Sequence, residues 1–222
     1  MAKISTFCIF DLDGTLVDSL RDIAEALNEC LALLGLPEHP VDDYRYMVGE
    51  GVPKLCQRAI GKSHPRLVER LIELARPRYR SRPLVHTKPY PGVSDMIRVL
   101  HDAGVRLAVL SNKPHEMTVR IVHAFWPGDV FRHIQGYTQE QLRKPDPYHV
   151  LEMRDRFGVD PARMYLVGDT PTDIQTARHA RINEIGVTWG FRTRADLTGA
   201  GAGCIVDTPQ EVCDLILDHA RI

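Results

Sequence analysis

Short apolar runs alternate with helical patterns along most of the chain, and this alternation limits its fold more than any other feature. The first run covers residues 7–10, and later ones lie at 105–110, 130–135, 164–167, 184–187 and 204–206. The segments between the later runs predict helices at 93–103, 114–125, 147–157 and 171–180. Strands that alternate with helices predict an α/β fold with a doubly wound parallel sheet.

The segment from residue 17 to residue 86 has helical patterns alone. Helices are predicted at 20–34, 41–48, 53–60 and 65–79, with Asp18 and Ser19 as caps of the first. This block directly follows the first strand, so we predict a helical domain at 17–86 inserted into a core formed by 1–16 and 87–222. The prolines and glycine of residues 88–92 mark the predicted hinge.

Composition and charge narrow the class of protein. The 222 residues are 44% hydrophobic, which is enough to bury a sizeable core, and the net charge of −1 gives no general attraction for nucleic acid or an acidic membrane. No signal peptide and no apolar run of membrane-spanning length is found in the sequence. Five scattered cysteines predict reduced thiols, and we therefore expect a cytoplasmic protein.

Two carboxylates follow the first apolar run. Asp11 and Asp13 would lie at the carboxyl edge of the parallel sheet, where α/β proteins bind ligands. Two carboxylates so close together repel each other unless a hard metal ion lies between them or they divide acid and base roles. Gly14 allows a sharp turn close to a bound anion, although Asp, Gly and Thr are also ordinary turn residues.

Polar residues also follow two later strands and occupy one loop. Ser111 and Asn112 follow the run at 105–110, Asp169 and Asp173 follow the run at 164–167, and Lys144 lies in a proline-rich loop. Taken singly, Ser111 and the two aspartates are typical helix caps, and Lys144 is typical of a solvated loop. These residues occur in order along the chain, and each lies on a loop that the predicted topology brings to the same edge of the sheet. This arrangement favours one shared site.

These segments resemble the four motifs of the haloacid dehalogenase (HAD) superfamily of phosphohydrolases. The matching residues are, in order, Asp11-Leu12-Asp13-Gly14-Thr15, Ser111-Asn112, Lys144-Pro145 and Gly168-Asp169-x-x-x-Asp173. The resemblance implies a Rossmann-like α/β core and assigns the helical block at 17–86 to a small cap domain between the first two motifs. Such a cap would cover the substrate and supply the contacts that select it.

The resemblance also implies roles for the motif residues. Asp11 would attack phosphorus and form an aspartyl-phosphate, and Asp13 would protonate the leaving alkoxide and later accept a proton from water. Ser111 and Lys144 would bind and neutralise the phosphoryl group, and Asn112 would join them in the substrate site. Gly14 and Thr15 complete the implied substrate-binding set.

A magnesium ion is the cofactor that the resemblance implies. Its ligands would be the Asp11 carboxylate, the Asp13 backbone carbonyl and Asp169, with Asp173 either a ligand or a support behind one.

Four short segments outside the main motifs resemble the phosphoglycolate phosphatase branch of the superfamily. They are Asp18-Ser19, Gly49-x-Gly51, Pro89-Tyr90-Pro91-Gly92-Val93 and Trp189-Gly190. This resemblance implies a Mg²⁺-dependent phosphatase acting on a small phosphorylated metabolite, with neither nucleic acid nor a membrane as partner. The particular ester, the selecting cap residues and the oligomeric state are not specified by the sequence.

Several alternatives stay open at this point. A phosphomutase, a pyrophosphatase or a phosphonatase with Lys54 as its Schiff-base lysine would use the same scaffold, and a non-catalytic protein that binds phosphorylated ligands is a further one. Arg21, Arg45 and Lys54 are candidates for contact with a second anionic group, although each is also typical of an ordinary surface residue.

Overall fold

The computed structural model describes residues 6–220, and a six-stranded parallel sheet is its centre. The strands, in chain order, are β1 (Phe7–Phe10), β2 (Val17–Asp18), β3 (Lys88–Pro89), β4 (Arg106–Pro114), β5 (Phe131–Tyr137), β6 (Met164–Gly168), β7 (Asn183–Val187) and β8 (Ile205–Val206). The sheet order is β5-β4-β1-β6-β7-β8, and β2 and β3 form a separate antiparallel ribbon. The predicted doubly wound α/β fold is confirmed.

Helices connect these strands. They are α1 (Leu20–Leu33), α2 (Val52–Ile60), α3 (Val68–Ser81), α4 (Val93–Asp102), α5 (His115–Phe125), α6 (Tyr148–Phe157), α7 (Pro171–Ala180), α8 (Arg194–Gly199) and α9 (Pro209–Ala220). Short 3-10 helices lie at Val41–Tyr46, Pro65–Leu67, Glu140–Leu142 and Pro161–Arg163. No helix among residues 6–220 combines the length and the apolar character that crossing a membrane requires.

Alternating side chains of β1 bury both faces of the sheet. Phe7 and Ile9 join one apolar cluster, and Cys8 and Phe10 join the other, each with no exposed surface. Burial on both faces explains why this strand is a continuous apolar run in the sequence. All five cysteines are unpaired, as their scattered positions predicted.

The helices between residues 17 and 86 share an apolar cluster of their own. The cluster joins side chains of α1, α2 and α3 with Tyr44 and Val48, which lie between α1 and α2, and Phe191 is its one buried member from outside residues 17–86 in the described chain. Asp22 of α1 is buried and accepts hydrogen bonds from the backbone N–H groups of Val85, His86 and Thr87, which ties the end of the block to its start.

Three local predictions need correction. Strand β4 continues to Pro114 instead of ending at 110, because β5 runs beside it and pairs Ser111 with Gly136. The strand pairing of Val17–Asp18 with Lys88–Pro89 was not predicted, because neither two-residue segment carries a periodic pattern. Helix α8 was also missed, although the capping box of Thr193 and Asp196 marks its start.

Candidate active site

The registers of three strands bring the motif residues to one edge of the sheet. Phe10 pairs with Val109 on one side and with Val167 on the other, and the Asp11 N–H donates to the Val167 carbonyl at 2.9 Å. Asp11 and the residues that follow the two neighbouring partners therefore emerge together at the carboxyl edge of the sheet. Asp11, Ser111 and Asp169 are all buried there.

Asp11 lies at the centre of this group. Its Oδ1 accepts the Leu12 N–H at 2.6 Å and lies 2.9 Å from Lys144 Nζ, so two donors fix the orientation of the carboxylate. Burial raises the pKa of Asp11 to about 7, with Lys144 opposing the rise and the charge of Asp173 adding to it.

The Asp169 carboxylate accepts hydrogen bonds from two donors, and the backbone on either side of it leaves no space for an added side chain. Its oxygens accept the Thr15 hydroxyl at 2.9 Å and the Phe191 N–H at 2.7 Å, and the side chain is fully buried. A Cβ on Gly14 would lie 2.3 Å from its Oδ2, and a Cβ on Gly190 would lie 2.4 Å from its Cβ. Burial and the charge of Asp11 raise the pKa of Asp169 to about 8.

Asp173 serves the fold and the site together. Its Oδ2 accepts the N–H and the hydroxyl of Thr170, which forms the capping box of α7. Its Oδ1 lies 2.6 Å from Lys144 Nζ. The helix-cap interpretation of Asp173 is confirmed, and the same side chain also contacts Lys144 of the predicted site.

Lys144 bridges Asp11 and Asp173. Its side chain is only 2% exposed, and burial alone would lower the pKa of the ammonium, but the two carboxylates raise it above its usual value. The solvated-loop interpretation of Lys144 is wrong, because a buried lysine of this kind is retained only with paired charges.

Asp13 is bound by a second buried lysine, Lys113, which was not among the predicted site residues. Lys113 Nζ lies 2.8 Å from Asp13 Oδ1 and 2.7 Å from Oδ2. Ser19 also donates its hydroxyl to Asp13, at 2.5 Å; it occupies the N-cap position of α1 as predicted, but its side chain makes no cap bond there. Asp18 does accept the Leu20 N–H, at 3.3 Å.

The donor set fits a hard divalent cation. Ligand oxygens of the buried Asp11, Asp169 and Asp173 all lie within 4.8 Å of one another. With Asp13, the four carboxylates carry four negative charges when ionised and Lys113 and Lys144 carry two positive charges, which leaves an excess of two. Oxygen ligands and a double negative excess suit Mg²⁺ or a similar ion.

Asn112 holds the Lys144 loop in place. Its Oδ1 accepts the Lys144 N–H at 2.8 Å, and its Nδ2 donates to the Lys144 carbonyl at 2.9 Å and to the Gly49 carbonyl at 3.0 Å. Both amide hydrogens are thus engaged with backbone. Ser111 beside it is buried, and its hydroxyl accepts the Lys113 N–H at 3.3 Å.

Two arginines make similar contacts with the same loop of the helical block. Arg143, next to Lys144, donates to the Glu50 carbonyl at 3.0 Å, and Arg192, next to Phe191, donates to the Val48 carbonyl at 3.0 Å. We call these two arginines and Asn112 the docking side chains. Each adjoins a residue that shapes the site.

A cavity of about 240 Å³ lies between the sheet edge and the helical block. Asp11, Asp13, Ser111, Asn112 and Lys113 line its floor, and apolar side chains from the helical block line much of the rest; among these are Ile23, Leu27, Val52 and Leu55. The motif residues therefore face a partly open cleft of a size that suits a small organic molecule.

The cations proposed from the sequence lie elsewhere. Arg21 is exposed and bonded to Glu25, Arg45 donates to the Gly190 carbonyl at 3.0 Å, and Lys54 is exposed. None of the three lines the cavity. The phosphonatase alternative therefore loses the lysine on which it depended.

Comparison with known families decides the assignment. The model of the haloacid dehalogenase-like hydrolase family matches residues 8–187 of the chain. The chain belongs to this family. The match begins within β1, ends with β7 and includes all the motif residues from Asp11 to Asp173, whereas Gly190, Phe191 and Arg192 lie just beyond it.

Individual relatives of this HAD-like chain agree with each other. A phosphoglycolate phosphatase from Aquifex aeolicus is 35% identical over 183 residues, which cover 82% of this chain and 84% of the relative. One from Agrobacterium fabrum is 34% identical over 192 residues, with coverage of 85% and 82%. A crystal structure from Lactobacillus delbrueckii subsp. bulgaricus, of a protein proposed to be a phosphoglycolate phosphatase, matches with a TM-score of 0.87 and 33% identity over 97% of this chain and 99% of that one.

Proposed function

We propose that this HAD-like hydrolase is a Mg²⁺-dependent phosphatase that hydrolyses a small phosphate monoester, phosphoglycolate or a close analogue, through an aspartyl-phosphate. The observation that carries the proposal is the pairing of a buried, oriented Asp11 with Lys144 beside a second, separately held carboxylate, Asp13. The names of the relatives support phosphoglycolate as the substrate class.

In the first step an Asp11 oxygen attacks phosphorus and the bond from phosphorus to the ester oxygen breaks. Lys144 and the Ser111 hydroxyl offset and bind the phosphoryl oxygens, and Asp13 delivers its proton to the departing alkoxide. In the second step water attacks the aspartyl-phosphate, Asp13 accepts the water proton, and phosphate leaves with Asp11 restored. Gly14 and Thr15 contribute indirectly. Gly14 forms the turn and leaves space for the Asp169 carboxylate, and Thr15 donates its hydroxyl to that carboxylate.

In this proposal Asp11, Asp169 and the Asp13 backbone carbonyl would hold Mg²⁺, and the Asp173 carboxylate lies within 4.8 Å of the Asp11 and Asp169 ligand oxygens. The ion would supply charge neutralisation of the phosphoryl group and an orienting contact. Lys144 already satisfies one oxygen of Asp173 and Thr170 satisfies the other, so we assign Asp173 mainly to holding Lys144 in place.

We propose that the helical block at 17–86 is a cap that covers the substrate, with the core formed by 1–16 and 87–222. The ribbon of β2 and β3 lies where the chain enters and leaves the block, and the separate apolar cluster supports a block that packs as a unit. Closure over the cavity would exclude water from the aspartyl-phosphate until the leaving group departs.

The nucleophile assignment is tested by Asp11→Asn. We expect the variant to lose hydrolysis of an aryl phosphate entirely while it keeps its circular dichroism spectrum and thermal midpoint, because the amide cannot attack phosphorus. Persisting turnover at a rate within about tenfold of the parent would show that another group attacks phosphorus.

A further inference from the structure

Two polar side chains of the cavity wall take no part in the proposed chemistry. Lys113 comes from β4 of the sheet, and Tyr79 comes from α3 of the helical block. Both line the cavity beside Asp13. They approach each other across the boundary between the two parts of the chain, because Lys113 Nζ lies 4.6 Å from the centre of the Tyr79 ring.

Lys113 keeps capacity for a ligand. Its side chain is only 3% exposed, and its two hydrogen bonds to Asp13 use two of the three N–H donors of an ammonium group. The third N–H lies toward the Tyr79 side chain on the cavity wall, and an anionic oxygen placed there would share it, since low polarity around an ammonium group strengthens the attraction.

Tyr79 supplies a second donor. Its hydroxyl oxygen is buried, the Lys113 ammonium group lies close to it, and its O–H has no acceptor among the residues that the structure describes. Buried polar groups are nearly always paired in folded proteins, so an unpaired hydroxyl on a cavity wall indicates that something else completes its bonding. A ligand oxygen placed between Tyr79 and Lys113 would do so.

The position of this pair limits the ligand. Asp13 acts on the ester oxygen of the substrate, and Lys113 touches the same carboxylate, so a group bound by Lys113 belongs to the leaving group close to that oxygen. Arg76 and Arg80 also line the cavity but are exposed, where solvent and salt weaken their attraction for an anion. Lys113 and the buried Tyr79 hydroxyl therefore contribute more to the selection of an anionic leaving group than the exposed arginines do.

We propose that Lys113 and Tyr79 form a subsite for a carboxylate attached directly to the ester carbon of the leaving group. One carboxylate oxygen accepts the third N–H of Lys113, and the other accepts the Tyr79 hydroxyl. The inference rests on the proposed phosphatase function and deepens it, because it assigns selection of an acidic leaving group to two named side chains.

The test compares two substrates that differ in this group alone, 2-phosphoglycolate and ethyl phosphate. For the parent protein we expect a higher kcat/KM with 2-phosphoglycolate. Tyr79→Phe keeps the ring over Lys113 and removes the hydroxyl, and it should lower the kcat/KM ratio of the two substrates about tenfold, since one hydrogen bond to a charged group is lost. Lys113→Met should lower the ratio further.

Tyr46→Phe is the matched control, because Tyr46 is another tyrosine of the helical block with a cation over its ring, Arg192, and it lies outside the cavity lining. The control should keep the parent ratio. If Tyr79→Phe keeps the parent ratio, or if it slows both substrates equally, the subsite is refuted while the phosphatase function stands. If the parent protein hydrolyses both substrates without preference, it is the assignment of phosphoglycolate as substrate that fails.

Discussion

Asn112→Ala separates a positioning role from a substrate-binding role. The motif resemblance placed Asn112 in the substrate site, but its three hydrogen bonds at 2.8–3.0 Å go to the backbone of Lys144 and Gly49. The alanine variant removes all three and leaves the buried Lys144 N–H without an acceptor. Its consequence should therefore be a displaced Lys144 loop.

The size of the effect follows from these bonds. At about 1 kcal/mol for each bond, the free energy of unfolding should fall by about 3 kcal/mol. A shift of about 1 Å in Lys144, which contacts both Asp11 and Asp173, should lower kcat by about 100-fold. Urea denaturation with chelator present measures the first quantity, and steady-state hydrolysis of an aryl phosphate with Mg²⁺ measures the second.

Asn28 offers a matched control within the helical block. It also makes three hydrogen bonds, donating to the His39 carbonyl at 2.8 Å and accepting the His39 N–H at 3.0 Å and the Tyr44 hydroxyl at 2.6 Å. Asn28→Ala should lose similar stability and keep kcat, measured where both variants are folded. Equal catalytic losses in the two variants, or a change in KM alone for Asn112→Ala, would refute the positioning role.

Three further predictions concern the metal and the packing around it. Chelation should abolish turnover and added Mg²⁺ should restore it; undiminished activity in EDTA would exclude the proposed cofactor. In the chelated protein the pKa of Asp11 is raised to about 7 and that of Asp169 to about 8, so the folded state holds protons that the unfolded state has released. The free energy of unfolding should therefore fall as the pH rises between about 4 and 8, and equal stability by urea denaturation at pH 5 and pH 8 would contradict this. Gly168→Ala would place a Cβ 2.2 Å from Asp173 Cγ and should lower the thermal midpoint strongly, whereas Gly199→Ala, with no atom within 4 Å, should not; equal midpoints would refute the packing argument.

The sequence was sufficient to predict the site residues whose positions are determined by the parallel sheet. Asp11 and Asp169 each follow the end of a buried apolar strand, and parallel pairing brings those ends to one edge whatever the helices do. Periodicity likewise predicted most helices, because an amphipathic face must be buried.

The sequence was insufficient where distant segments meet. Lys113 contacts Asp13 across 100 residues, and Asn112 reaches Gly49 across 63. The Asn112 contact depends on how the helical block lies against the sheet, and the Lys113 contact depends on how two strand ends pack together; no local pattern encodes either one. The triplet Ser111-Asn112-Lys113 held one available signal, since three polar residues in a row at a strand end are unusual, but it gave no means of choosing among their roles.

The docking side chains have a consequence for how this enzyme can change over generations. Their acceptors on the helical block are all main-chain oxygens, namely the carbonyls of Arg45, Val48, Gly49 and Glu50. A carbonyl is present whatever residue is encoded, so most substitutions in that loop would leave the docking contacts intact, except where a side chain collides, as at Gly51 against Arg143. If the helical block selects the substrate as proposed, its cavity-facing side chains can change under selection for new esters while the contacts between the two parts of the molecule are kept.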